Sequence, residues 1–473
     1  MKSLNRLILI GIVVAAVTST LAGQTPDLAI APHVDQRVEL LSIIFRLAGN
    51  PEYNMSPLKG YTSDIDTYFA LYRNHAAIAM AKKLANTRSV GFDAVMTMAI
   101  HLSPPPALTP LVPFTDKVPE PRWGIENGLE FVRLVQQFYH DTHFEKFFAA
   151  HASMYQTAES QFAAVLRGLD LGWYKNFYGE LPKGHFNVVL GINNGDGNYG
   201  LKVIFPDGHE ELFAILGAGD ADSSGNPTYS SNQLPTLIHE FNHSFMNPFV
   251  DEHLSELSAA REIYEPVADK MKAMAYGQPD VVIKESLVRA AVILYLESQG
   301  KSKRDILVAT RQEQARGFVW MSDLCALMRQ YESHRDRYST FSTFMPEIVK
   351  FFQGLAPGIK NEVASFKANC VHFTKMKPFP DKTQDADPAV TELIINFDKP
   401  LDPANGYSIN YGREGKEHWP IAGKPQFLDG GSAVKLPVKL KPGWSYSFVL
   451  TPLAFASADG YPLESYVVNF KTK

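Results

Sequence analysis

Leu234-Pro-Thr-Leu-Ile-His-Glu-Phe-Asn-His-Ser-Phe-Met246 is the stretch on which the reading of this chain turns. Leu234, Leu237, Ile238, Phe241 and Phe245 fall on one helical stripe, which can bury against a core. His239 and His243 are four apart and project from one face, one turn apart. Two imidazole nitrogens at that spacing can reach a single ion. Glu240, beside the first histidine, is placed to take a proton from a water held there. Pro235 is tolerated only in a first helical turn, so the helix starts at about Leu234. Asn247-Pro248 predicts its end near Met246. An HExxH string arises by chance in about 2% of chains this long. Its weight here comes from the amphipathic helix and from the strands before it.

A metal site built for hydrolysis takes three protein ligands and leaves a position open. A third histidine six residues after His243 would mark one class, but Phe249 stands there and the usual glycine is absent. A later glutamate is the alternative. Glu262 and Glu265 lie in a charged stretch, Asp251 to Tyr276, that reads as a helix with many solvent-facing positions. Glu285 lies in Val281-Val-Ile-Lys-Glu-Ser-Leu-Val-Arg-Ala-Ala-Val-Ile-Leu-Tyr-Leu296, apolar nearly all round and so expected to be buried. A buried carboxylate needs a partner or a metal. Arg289, four residues on, can orient it, or the two can form an ordinary ion pair.

Outward from these helices, the pattern changes three times. Residues 30 to 170 read as mostly helical, over Asp64 to Thr87, Glu126 to Tyr139 and Phe144 to Leu169. Phe186 to Ile192, Tyr199 to Phe205 and Leu212 to Leu216 read as strands. In zinc peptidases a sheet edge precedes the metal helix and holds substrate as an added strand; either of the last two strands could be that edge. Gly219 to Asn226 is a polar loop, read as a loop despite Asp220 and Asp222. Helices return over residues 230 to 370. From Asp387 onward Val434, Leu436, Val438 and Leu440, then Trp444, Tyr446, Phe448 and Leu450, alternate as in half-buried strands. The expected organisation is a signal peptide over residues 1–22, a mostly helical domain with a small mixed sheet over 23–374, a linker over 375–387 and a β-sandwich over 388–473. The fold class is α+β.

The chain has 473 residues, 45% of them hydrophobic, with a net charge of -5. That length requires more than one core. No long basic run is present, so nucleic acid is not an expected partner. Lys2 and Arg6, the apolar run Leu7 to Val17 and the small residues up to Gly23 have the order of a secretory signal. Gln24 stands where lipidation would need a cysteine. The expectation is an exported protein, periplasmic or extracellular, neither lipidated nor membrane-spanning once mature. Cys325 and Cys370 could pair or remain free. Neither lies in a metal-type pattern. His101, His140, His143, His151 and His185 are read as core or surface residues.

The HEFNHSF helix, the later ESLVRA helix, Asn198-Tyr199-Gly200, and Val38 to Gly49 with Glu52-Tyr53 resemble a secreted bacterial family known only as a domain of unknown function. That family is similar to gluzincin-type zincin metallopeptidases. The resemblance covers roughly residues 28 to 370. It implies Zn2+ held by His239, His243 and Glu285, with Glu240 as general base in the hydrolysis of peptide or protein substrates. The gap between His243 and Glu285 is longer than in thermolysin. Ile394 to Asp402, Leu440 to Tyr446 and Asp459 to Leu463 resemble a bacterial Ig-like domain, which implies a spacer or a contact with cell-surface glycan or protein. Candidates for stabilising an oxyanion, or for supporting the ligands, are Arg289, His253, Tyr264 and Tyr276. Two rival expectations stand beside a peptidase. One is a binding protein that keeps the fold without turnover. The other is a zinc hydrolase of non-peptide amides or esters.

Overall fold

A computed structural model describes residues 30–180 and 184–473. The expected signal segment, residues 1–22, lies outside the described residues. The class is α+β, as expected. Helices fill most of the chain up to Asn369, and one sheet interrupts them. Its strands are β1 (Pro32–His33), β2 (Gly184–Gly191), β3 (Tyr199–Ile204) and β4 (Glu210–Gly217), in the order β1-β2-β4-β3. β1, β2 and β4 run parallel; β3 returns antiparallel to β4 and forms an edge. Val188, Val189 and Leu190 of β2 and Ala214, Ile215 and Leu216 of β4 are all buried. Continuous burial of this kind marks strands covered on both faces. Leu212 to Leu216 therefore lies inside the sheet, and β3 is its edge.

The motif helix, Leu234–Glu252, packs on β3 and β4. It does not stop near Met246 but runs on through Pro248. The proline forfeits one backbone bond to Ser244. Phe249 compensates by packing, with its ring 5.5 Å from that of Phe341. Tertiary burial outweighs the local breaker. A glutamate helix, Pro279–Ser298, lies along the motif helix and is buried nearly all round, as its composition predicts. The single helix expected over 251–276 is broken instead into Ala260–Tyr264 and Ala268–Ala273. Pro266 falls between them and cannot continue a helix interior. Likewise Asp64 to Thr87 holds parts of two helices, Lys59–Tyr68 and Ala76–Arg88, and Phe144 to Leu169 holds two, Phe144–Ala150 and Ala152–Leu166.

A second core begins at Val371, directly after Cys370 closes the first. It lies within β5 (Phe373–Lys377), β6 (Glu392–Phe397), β7 (Ile409–Tyr411), β8 (Gln426–Leu428), β9 (Ala433–Pro437), β10 (Ser445–Leu450) and β11 (Tyr466–Lys471). These form two antiparallel sheets, β5-β6-β9-β8 and β11-β10-β7, enclosing one core. The linker expected over 375–387 is thus corrected: it starts inside β5, because Met376 is a buried inward-facing residue of the sandwich. Cys325 and Cys370 are both free and buried. Among the described residues no helix is long and apolar enough to cross a membrane.

One buried carboxylate ties the N-terminal helices to the sheet. Glu39 lies on the helix Gln36–Ala48 and is fully buried. Its Oε1 accepts the backbone N–H of Ile192 at 2.7 Å, and its Oε2 accepts the Tyr61 hydroxyl at 2.7 Å. These bonds hold the turn between β2 and β3. Burial nevertheless keeps its pKa up at about 7, against an ordinary 4.5. The folded state therefore retains a proton that the unfolded chain has shed. Stability from this group is present below pH 4.5 and is lost as pH rises toward 7. Glutamine can accept the same amide bonds without titrating. In urea unfolding, wild type should lose on the order of 3 kcal/mol relative to Glu39→Gln between those limits. Parallel pH profiles would show that Glu39 titrates as it does in water.

Candidate metal centre

The motif helix, the glutamate helix and β3 meet at one buried point. His239 Nε2 and His243 Nε2 lie 3.1 Å apart. Glu285 brings Oε2 to 3.5 Å from His239 Nε2 and Oε1 to 3.4 Å from His243 Nε2. Ligand atoms about 2.1 Å from an ion in tetrahedral geometry are separated by about 3.4 Å. The three side chains therefore stand close to the spacing of one tetrahedral face, with one Glu285 oxygen toward each histidine. Two imidazoles and a carboxylate suit a divalent ion of the borderline class. Glu240 completes the cluster, with donor atoms of His239, Glu240 and His243 all within 4.8 Å of one another.

Burial and the neighbouring His243 press His239 well below the ordinary imidazole pKa, which favours the neutral ligand form. Burial, with the Glu285 carboxylate nearby, pushes Glu240 up to about 8. A cation among the donors opposes that shift. His243 Nδ1 is 3.2 Å from Asn247 Oδ1, one turn further along the same helix. That contact suits Nδ1 as donor and leaves Nε2 for the ion.

Glycine at position 200 makes the approach of β3 possible. A Cβ there would stand 1.8 Å from the Glu240 carbonyl oxygen. The Gly200 amide also lies toward the Glu240 carboxylate and works against the rise in its pKa. The edge strand and the candidate base are thus in direct contact.

Arg289 supports Glu285, as the four-residue spacing suggested. Its Nη2 is 3.1 Å from Glu285 Oε2 and donates at 2.8 Å to the Tyr276 hydroxyl, while its Nη1 donates at 2.8 Å to Glu313 Oε2. Glu313 pairs in turn with Arg316. Sequence reasoning missed Glu313. On a polar helix, Lys303–Arg316, a Glu three residues from an Arg looks like an ordinary solvent pair. The centre opens into a cleft of about 650 Å³ lined by Asp196, Asn198, Thr236, Tyr276, Val292, Ile293, Leu296 and Arg316 among others.

The remaining candidates lie elsewhere. Glu262 and Glu265 are exposed, and Glu265 faces Arg261 across 3.7 Å. The break at Pro266 turns both away. His253 ends the motif helix, its Nδ1 on the Phe249 carbonyl. Tyr264 is buried on the short helix that packs on the glutamate helix, and it does not line the cleft. Of the hydroxyl and imidazole candidates only Tyr276 reaches the site.

The polar helix also touches the sandwich. Arg304 pairs with Asp402, Gln312 donates to the Leu453 carbonyl at 3.2 Å, and the Arg311 guanidinium sits 3.9 Å above the Tyr461 ring. It buries only Ile306, Thr310 and Gln314. The sandwich is thus a brace for one wall of the cleft.

An α+β chain with this centre can be set beside known proteins. The model of a family described as a domain of unknown function, DUF4932, matches residues 30–351. The chain belongs to that family. No curated protein matches it. Among solved structures, it is similar to domains 1–6 of the surface layer protein SbsC at 17% identity, covering 52% of this chain and 34% of that one. The S-layer protein rSbsC(31-844) matches at 15%, covering 50% and 33%, and the N-terminal part of the bacterial S-layer protein SbsC at 13%, covering 83% and 79%. The chain spans about a third of the first two. Each TM-score is 0.18, so these likenesses carry no argument.

The centre makes a direct prediction about metal content. Elemental analysis of the zinc-loaded protein should show that His243→Ala abolishes binding at the helix site. Glu313→Gln should weaken it about 10-fold or more, through loss of support for Arg289. Equal affinity in the wild type and both variants would remove the centre.

Proposed function

We propose that this chain is an exported, zinc-dependent metallopeptidase of the zincin type. One observation carries the reading. His239, His243 and Glu285 converge from two helices at tetrahedral spacing, with the Glu240 carboxylate in the same buried cluster. The edge position of β3 above that helix supports a peptide as the substrate, since an extended chain can add to a free strand edge. Asn198 at the start of β3 and the apolar residues Val292, Ile293 and Leu296 line the same cleft.

His239, His243 and Glu285 would hold a zinc ion, which when bound would supply a Lewis acid for acidifying water and polarising a carbonyl. The residues of the chain do the rest. Glu240, fixed against Gly200, takes the proton from the attacking water and delivers it to the leaving amine. Tyr276 accepts from Arg289 and stands in the cleft as a hydroxyl donor to the developing oxyanion. Burial raises its pKa, which keeps it protonated. Arg289 neutralises Glu285 and holds it on the histidines. Export follows from the N-terminal pattern of Lys2, Arg6 and Leu7 to Val17.

Glu240→Gln tests the reading. It should hold as much zinc as wild type and lose activity on a mixed peptide library by about 10²-fold or more. Full activity in that variant would remove Glu240 as base. Zinc in the wild type without turnover of any peptide would favour a binding protein. Turnover confined to simple amides or esters would favour a non-peptide hydrolase.

A further inference from the structure

A second group of metal-ligating side chains lies at the far end of the same sheet. His185, read from the sequence as a core or surface residue, opens β2, and the parallel register sets it directly beside Glu211 of β4. His209 stands two residues before Glu211, so both point to one face. Phe186 turns the opposite way, onto Phe241 of the motif helix, so the group lies on the face away from that helix. His185 Nδ1 and His209 Nε2 both approach a single oxygen, Glu211 Oε1, at 2.8 and 2.7 Å. Asn187 Nδ2 holds the other carboxylate oxygen at 2.6 Å.

We propose that His185, His209 and Glu211 form a second divalent-metal site, open to solvent. Two imidazoles and one carboxylate are ligands for zinc, nickel or copper rather than calcium. Their donor atoms all lie within 4.8 Å of one another. The spacing of a tetrahedral face, about 3.4 Å, needs the two hydrogen-bonded contacts to open by about 0.6 Å. Rotation of two partly exposed imidazoles supplies that movement. Asn187 plays the supporting part that Arg289 plays at the buried centre: it orients the carboxylate without ligating. The three ligands come from the start of β2, the turn after β3 and the start of β4. An ion there would cross-link the base of the sheet whose other end presents Gly200 to Glu240. His185 is exposed and His209 and Glu211 are half-buried, so the site is structural or accessory and does not depend on the buried centre.

Zinc chloride is the probe, read by equilibrium dialysis and elemental analysis on the full chain. Wild type should bind about two zinc ions, and the His239→Ala/His243→Ala variant about one. Adding His185→Ala to that variant should release the remaining ion. His185→Ala/Glu211→Gln in otherwise unaltered protein should hold about one, at the helix site. The proposal is overturned if the His239→Ala/His243→Ala variant binds none, or if its zinc survives loss of His185 and Glu211. Failure of the helix site would show separately, as no zinc in the His185→Ala/Glu211→Gln variant.

Discussion

Glu285 sits in the interior between two helices, and its charge has to be balanced where water does not reach. The balance is a chain of alternating charges: Glu285 to Arg289, Arg289 to Glu313, Glu313 to Arg316, with Arg316 at the surface. A buried carboxylate stripped of such partners costs several kcal/mol. The placing of the polar helix, the presence of Arg289 and the position of Tyr276 all follow from that requirement. So does the arrangement of the donor atoms, since a carboxylate already held by an arginine presents its oxygens to both histidines in one orientation.

A second constraint comes from distance. The motif helix can hold Glu240 against an edge strand only if the two backbones come very close. Gly200 is the position where a side chain would collide with the Glu240 carbonyl. The strand order puts β3 at the edge, where one side stays unpaired. The same sheet is anchored from behind by Glu39, which spends a buried carboxylate on two amide groups of the turn before β3.

The elements with strong periodicity were legible in the sequence. The three strands of the middle region, the start of the motif helix and the buried glutamate helix lie where their patterns place them, and Glu285 emerges as the carboxylate that meets the histidines. What local pattern could not give is where tertiary packing overrules it. Pro248 does not end its helix because Phe249 packs and Val250 is buried beyond it, whereas Pro266 does break one. Glu313 was invisible because its partner lies 24 residues earlier, and only the fold joins them. His185 and Glu211 were silent for the same reason, since parallel register between β2 and β4 sets them side by side. The sandwich boundary was missed because β5 is polar on its outer face and looks like a linker.

The brace between the sandwich and the polar helix joins the two cores at one wall of the cleft. That helix has few buried residues of its own, so its position is shared between the glutamate helix on one side and Asp402, Leu453 and Tyr461 on the other. Coupling of this kind is reciprocal. A ligand on the sandwich that favours one placement of the helix changes the affinity of the cleft for its occupant, and the occupant changes the sandwich's affinity by the same factor.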